Sequence, residues 1–317
     1  MTIRVERFTA QQSDEVLDKL IEVEAAPIAL GSGDAVADGN AFVRAASGIC
    51  LSDKQVRRLL RELIGVAAEH ARASFASDEV FLRQLGTRNP WGNARLPAIC
   101  FTGLSGVGKS MVLAAYQRLF AQKLTHSVHG YRNLPLAASW HLSLEDGVGL
   151  NGLLGPILWP ELYCGSQPAD ESLSEVRAVP KGKALPALLN NARLRAWRDA
   201  VCILFADEFQ NIAKGSATAR ATSLLHSLLT LGPRVCFCAN YSLVNGLWDG
   251  NPEDVRRLLT GRLEMLPHAK GSAAFIRYLE ELKKLSPEVF TFKVQDCQEF
   301  IHDSTFGVKD YVVQLLS

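Results

Sequence analysis

The sequence predicts an α/β fold: a parallel, doubly wound sheet with a helical N-terminal extension and a small α-helical C-terminal lid. Three observations predict it. Residues 103–110, Gly-Leu-Ser-Gly-Val-Gly-Lys-Ser, complete the pattern GxxxxGK[ST] between an apolar, β-leaning run at 96–102 and a helically spaced run at 111–120. A second apolar run, Ala200 to Ala206, ends in Asp207-Glu208. Between 96 and 239, strand-like runs alternate with helix-patterned segments, the order that builds a parallel sheet.

Residues 1–95 read as the helical extension. Asp14 to Glu24 has helical spacing, and 25–39, rich in Ala, Gly and Asp, reads as a loop or linker. Ser52-Asp53 precedes an amphipathic helix from Lys54 to Ala73, whose Val56, Leu59, Leu60, Leu63 and Ile64 follow the 3.6-residue period. A shorter helix spans about Asp78 to Leu85, and Asn89-Pro90 breaks the chain before the core. The nucleotide-binding core is placed at 96–270. Its second strand is expected at Leu136 to Leu144, its third at Ala200 to Ala206, apolar on both faces as a central parallel strand is, and its fourth at Arg234 to Ala239. Helices are expected at Leu185–Trp197 and Thr218–Leu231, with an irregular stretch at 145–185. The lid, 271–317, carries helices near Ala273–Leu285, Val294–His302 and Gly307–Leu316.

Composition narrows the class. Of 317 residues, 48% are hydrophobic and 21% charged, ordinary for a soluble protein. No apolar run approaches the ~20 residues of a membrane span, and the first residues lack a signal-peptide core, so a cytoplasmic location is expected. Cys100, Cys202, Cys236 and Cys238 lie in apolar strand-like runs with no zinc-site spacing, and read as small core residues. The net charge of +1 says nothing about partners. Locally, Arg177, Lys181, Lys183, Arg193, Arg195 and Arg198 follow one another with no acid before Asp199. Such a stripe fits phosphates or a solvated helix face equally well.

The chemistry sits in four places. Gly103, Leu104, Ser105, Gly106, Val107, Gly108, Lys109, Ser110 and Met111 form the candidate phosphate cradle. There the glycines bare backbone N–H groups, Lys109 reaches the β- and γ-phosphates, and Ser110 binds Mg²⁺. Asp207 and Glu208 emerge at the C-terminal end of a core strand, where open α/β sheets bind ligands. Asp207 suits a metal and Glu208 suits activation of a water. Asn240 ends the next strand, placed either to hold that water or to cap the following loop. Finally, a helix carrying Arg256 and Arg257 ends near Gly261-Arg262, and each of the three arginines is either a finger reaching a neighbouring subunit's γ-phosphate or a surface residue.

This series resembles the AAA+ ATPases of transposition, the TnsC/TniB type. The resemblance rests on the P-loop, on Leu-Phe-Ala-Asp-Glu-Phe-Gln-Asn at 204–211, on Cys-Ala-Asn-Tyr-Ser-Leu-Val at 238–244 and on Gly-Arg-Leu-Glu-Met-Leu-Pro at 261–267. It spans roughly residues 50–315, and Gln210-Asn211 is its more specific part. It implies an ATP- and Mg²⁺-dependent protein that assembles as a ring or helical filament on double-stranded DNA. It also implies a link between a target-selecting protein and a transposase. Glu208, Asn240 and Arg262 are then the catalytic set, with Arg262 the leading finger, and Lys181, Lys183, Arg193, Arg195 and Arg198 candidates for the DNA backbone. Two features depart from the pattern: residues 145–185 are longer than a minimal core needs, and the lid shows no clear second sensor arginine, Lys309 being a weak substitute. The alternatives are a signalling ATPase of the STAND type, with protein as its only partner, and a helicase-loader-type AAA+ protein.

Overall fold

A computed structural model of the chain describes residues 2–9, 13–31, 34–92, 96–144, 149–159, 185–209 and 217–317. The chain divides into two compact units, each gathered from separate stretches. The first comprises Met1–Ala10, Leu63–Thr102 and Phe120–Leu263, and the second Gln11–Glu62, Gly103–Leu119 and Glu264–Ser317.

The first unit is built on a five-stranded sheet. Its strands are β1 (Ile99–Thr102), β4 (Ser139–Ser143), β5 (Ile203–Asp207), β6 (Arg234–Ala239) and β7 (Gly261–Glu264), in the order β4-β5-β6-β1-β7. Parallel pairing aligns Ser143 with Asp207, Ala206 with Phe237, and Thr102 with Ala239. The ends of four strands therefore share one edge. β5 and β6 are largely apolar because both faces are buried: Leu204, Ala206, Val235 and Phe237 share one face and cluster with Leu188, Ala192, Leu225 and Leu228 of the helices Leu185–Arg198 and Ala217–Leu229, while Ile203, Phe205, Cys236 and Cys238 are buried on the other. Cys100, Cys202, Cys236 and Cys238 are buried thiols. Burial raises the pKa of the Cys202 and Cys236 thiols, as expected of inert core residues.

A hairpin that periodicity does not predict, β2 (Leu124–Val128) with β3 (Tyr131–Leu136), precedes β4. Its alternating pattern is disguised because the inward position between Leu124 and Val128 is a histidine. His126 is buried and its Nδ1 lies 3.1 Å from the Arg4 guanidinium, which is also ion-paired with Asp78 and lies 4.4 Å from the centre of the Phe81 ring. Burial and the nearby Arg4 charge lower the pKa of His126.

The second unit is helical. Phe42, Ile49, Phe275, Leu279, Leu282, Val294 and Val312 share its core. The helix Ala35–Ser47 lies partly in the stretch expected to be a linker. Asp34 caps it, accepting from the Val36 and Ala37 N–H groups at 3.0 and 3.1 Å, and Phe42 and Ala46 then anchor it. Gly39 and Asn40 disguise that helix in the sequence. The helices Asp78–Leu85 and Ala273–Leu285 have the bounds their spacing predicts. The helix Leu150–Leu158 occupies part of the stretch expected to be irregular. No helix among the described residues is long and apolar enough to cross a membrane.

His70 yields a prediction. Its ring stacks on Trp91 with centroids 5.3 Å apart, and burial, with Arg234 nearby, lowers its pKa to about 4. Between pH 6.5 and about 4 the unfolded chain holds the proton and the folded chain does not. The stability that neutral His70 contributes is therefore complete above pH 6.5 and is lost as the pH falls towards 4. His70→Phe keeps the stacking and should flatten the slope of unfolding free energy against pH in that window by close to one proton, about 1.4 kcal/mol per pH unit at most. An unchanged slope in denaturant titrations would contradict the assignment.

Candidate functional site

β1 ends at Thr102 and the glycine loop begins at the next residue, leading into the helix Lys109–Leu119. In the second unit this loop is pressed against its surroundings at two points that only glycine permits. Gly103 has φ +153°, and a Cβ there would overlap the Met265 carbonyl oxygen. Gly106 has φ +72°, a Cβ there would overlap that of Asp310, and the Asp310 N–H donates to the Gly106 carbonyl at 3.1 Å. Leu104, Ser105 and Ser110 are exposed, so the outer side of the loop and the Ser110 hydroxyl face solvent.

Two ammonium groups lie at this loop. Lys109 is 9% exposed and folds back to donate to the carbonyls of Gly103 at 3.1 Å and Leu104 at 2.8 Å. Lys309, 8% exposed, begins the helix Lys309–Leu316. Its Nζ sits 3.4 Å from the Met111 sulfur and 5.5 Å from the centre of the Tyr278 ring, with its side chain beside Gly108. Burial lowers the Lys309 pKa, with Asp53 and Cys50 pulling the other way. Among the described residues no carboxylate forms an ion pair with it. A cation in so dry a place costs free energy unless an anion joins it. Sequence reasoning gave Lys309 only a weak role. A signal was present: a lysine opening a short apolar helix stands where the helix dipole disfavours positive charge.

The acidic pair lies in the first unit at the shared edge of the strands. Asp207 ends β5, and its Oδ1 accepts from the Glu208 N–H at 2.9 Å. Glu208 has φ +58°, a left-handed conformation that non-glycine residues adopt at a cost of about 1–3 kcal/mol and that concentrates at functional turns. The turn lifts Glu208 off the strand, and the buried Phe209 anchors the far side of that turn. Gln210 and Asn211 lie outside the described residues. Sequence reasoning missed His141. It sits on β4, paired in register with Phe205 and 4.7 Å from that ring. Burial lowers its pKa to about 4, overcoming the attraction of Asp207, so a neutral imidazole neighbours the carboxylate. Asn240 caps the helix Tyr241–Trp248, accepting from the Leu243 N–H at 3.1 Å and the Ser242 hydroxyl at 2.8 Å. The cap occupies its oxygen and leaves the amide N–H₂ unused among the described residues.

The arginines separate clearly. The helix carrying Arg256 and Arg257 ends at Leu258, and Arg262 belongs to β7 rather than to a helix end. Glycine at 261 and the residues after it are taken up by the sheet edge beside β1. Arg257 is ion-paired with Glu253, and Arg256 is exposed. The guanidinium of Arg262 lies 5.7 Å from the centre of the exposed Trp248 ring. The basic stripe is not a row of free cations. Arg193 donates to the Thr230 carbonyl at 2.6 Å, Arg195 to the Leu158 carbonyl at 2.7 Å, and Arg195 and Arg198 share the buried carboxylate of Asp199. Arg177, Lys181 and Lys183 lie outside the described residues.

No cluster of three His, Cys, Asp or Glu able to hold a metal is present among the described residues. The donor chemistry fits magnesium all the same. Mg²⁺ takes one or two protein oxygens and completes its shell with water and phosphate, and a carboxylate such as Asp207 in the first unit and a hydroxyl such as Ser110 in the second each have the donor chemistry for it.

The closeness at Gly103 can be checked. Gly103→Ala should lower unfolding stability by about 1–3 kcal/mol in denaturant titrations, because the Met265 backbone has to move. A stability equal to the parent's would contradict the packing. Comparison of the chain with known protein families and with curated proteins finds no match.

Proposed function

We propose that this chain is a magnesium-dependent ATPase of the AAA+ type that assembles on double-stranded DNA, connecting a target-selecting protein to a transposase. The observation that carries the ATPase reading is the glycine loop with Lys109 and Lys309 both buried against it. Fixed amides and two ammonium groups are the means by which proteins hold polyphosphates. In this reading Lys109 binds the β- and γ-phosphates and Lys309 adds a second cation from the lid. Asp207 and Ser110 hold Mg²⁺, whose charge offsets that of the phosphate oxygens. Glu208 takes a proton from water as its oxygen bonds to the γ-phosphorus, and the bond to the β–γ bridging oxygen breaks, releasing ADP and inorganic phosphate. Asn240 offers its free amide N–H₂ to that water.

The DNA, transposase and target-selector reading rests on the resemblance of the motif series. With Arg193, Arg195 and Arg198 engaged internally, the expected DNA contacts shift to other basic residues, Lys181 and Lys183 among them.

Substitutions test the site. Lys109→Ala should weaken ATP binding by roughly 100-fold, about 2.7 kcal/mol, in calorimetry. Glu208→Gln should bind ATP like the parent while kcat falls on the order of 10²–10⁴. Parent-like turnover in Glu208→Gln would remove it from the mechanism. Lys309→Met should move two properties in opposite directions: thermal stability rises because a buried cation with no ion-paired acid among the described residues is gone, and ATP affinity falls. A fall in both would mark Lys309 as structural. Rings or filaments seen by electron microscopy only with duplex DNA and a slowly hydrolysed ATP analogue together would support the DNA reading. Assembly indifferent to DNA would favour the protein-switch alternative.

A further inference from the structure

We infer that Trp248 is a positioning residue, holding Arg262 in readiness for the γ-phosphate of a nucleotide bound to a second copy of this chain. The inference rests on the ATPase reading above. Three arginines lie within seven residues of one another, and their surroundings differ. Arg257 is neutralised by Glu253 within the same helix. Arg256 is exposed beside Thr260, whose hydroxyl donates to the Arg256 carbonyl. Arg262 alone rests on an aromatic ring.

The manner of that contact matters. An ion pair with a carboxylate occupies the edge of a guanidinium and cancels its charge. A ring contact orders the long side chain through its face and leaves the N–H fork in the plane and the charge intact. An exposed arginine gives up rotamer entropy on binding an anion. Ordering it beforehand reduces that cost.

Trp248 fits this role better than a packing role. It is 57% exposed, at the C-terminal end of the helix Tyr241–Trp248, whose Leu243, Val244 and Leu247 are the buried members. Tryptophan and arginine are also among the residue types enriched at the energetic centres of protein interfaces.

The surrounding charge selects the target. Residues 249–262 hold three acids, Asp249, Glu253 and Asp254, against three arginines. A surface so balanced does not supply the several free cations that gripping a DNA backbone requires. One ordered fork serves one terminal phosphate. The helix that carries Trp248 also begins at Asn240, so a single rigid element joins a candidate catalytic residue of one subunit to the support for the arginine it lends to the next.

The test measures ATP turnover per subunit in the presence of duplex DNA against protein concentration for the parent chain, Trp248→Ala, Trp248→Phe and Arg262→Ala, with nucleotide Kd, DNA Kd and melting temperature recorded for each. Parent turnover should rise with concentration. Trp248→Ala should lose roughly three- to tenfold in kcat at concentrations where the parent is assembled, with Kd within about twofold. Trp248→Phe should recover most of the loss, since the ring face is retained. Arg262→Ala should lose about 10³-fold or more. Parent-like turnover in Trp248→Ala alongside a loss in Arg262→Ala would overturn the positioning role. A lowered melting temperature with unchanged kcat would make the pair a structural contact, and a selective loss of DNA affinity would reassign it to DNA; both overturn the inference. Turnover independent of concentration would sink the transfer between subunits while leaving the ATPase reading intact. Absence of turnover in the parent would sink both.

Discussion

The close approach of the lid helix Lys309–Leu316 to the glycine loop is the constraint on which the second unit depends. Gly106 and Asp310 touch backbone to backbone, and a single methyl group would part them. The approach seats the Lys309 ammonium against Gly108, Met111 and Tyr278. It also brings an acid, Asp310, to a loop whose amides attract anions. The lid thus presents opposite charges on consecutive residues. A lysine that is buried without an ion-paired acid destabilises the free protein, and binding of an anion relieves it. In the proposed function, stability and nucleotide affinity are coupled through that one side chain.

In the first unit the organising fact is the alignment of parallel strand ends. Register places Ser143, Asp207, Ala239 and Thr102 along one edge, and two of the residues that follow them are set apart by their backbone: Glu208 in a left-handed turn and Asn240 at a helix cap. A parallel sheet gathers residues distant in sequence at such an edge without any one strand having to bend. His141, held neutral by burial beneath this edge, offers Asp207 no ion pair.

Much of this was legible in the sequence because the relevant signals are local. The glycine loop is fixed by eight consecutive residues. The apolar run ending in Asp207-Glu208 declared a strand inside the sheet with an acidic pair at its C-terminal end. Strand β6 and the helix Ala273–Leu285 fell where periodicity put them. The features that escaped were non-local. The hairpin Leu124–Leu136 hid behind His126, whose burial depends on Arg4, more than a hundred residues away in the chain. The helix Ala35–Ser47 carries Gly-Asn within it and is held by its cap and by tertiary packing. The basic stripe reads equally as a phosphate-binding or a solvated face in the sequence, and what settles Arg195 and Arg198 is the burial of Asp199, the acid they share. Lys309 was visible as a residue, but its importance comes from burial, which spacing does not encode.

The most direct test of the account is hydrogen exchange on the intact chain with and without Mg²⁺-ATP. The account predicts that amides of 103–110 and of 309–316 become protected together on adding ATP, and less so with ADP, because loop and lid helix hold the same polyphosphate. Exchange in both segments unchanged by ATP would contradict it.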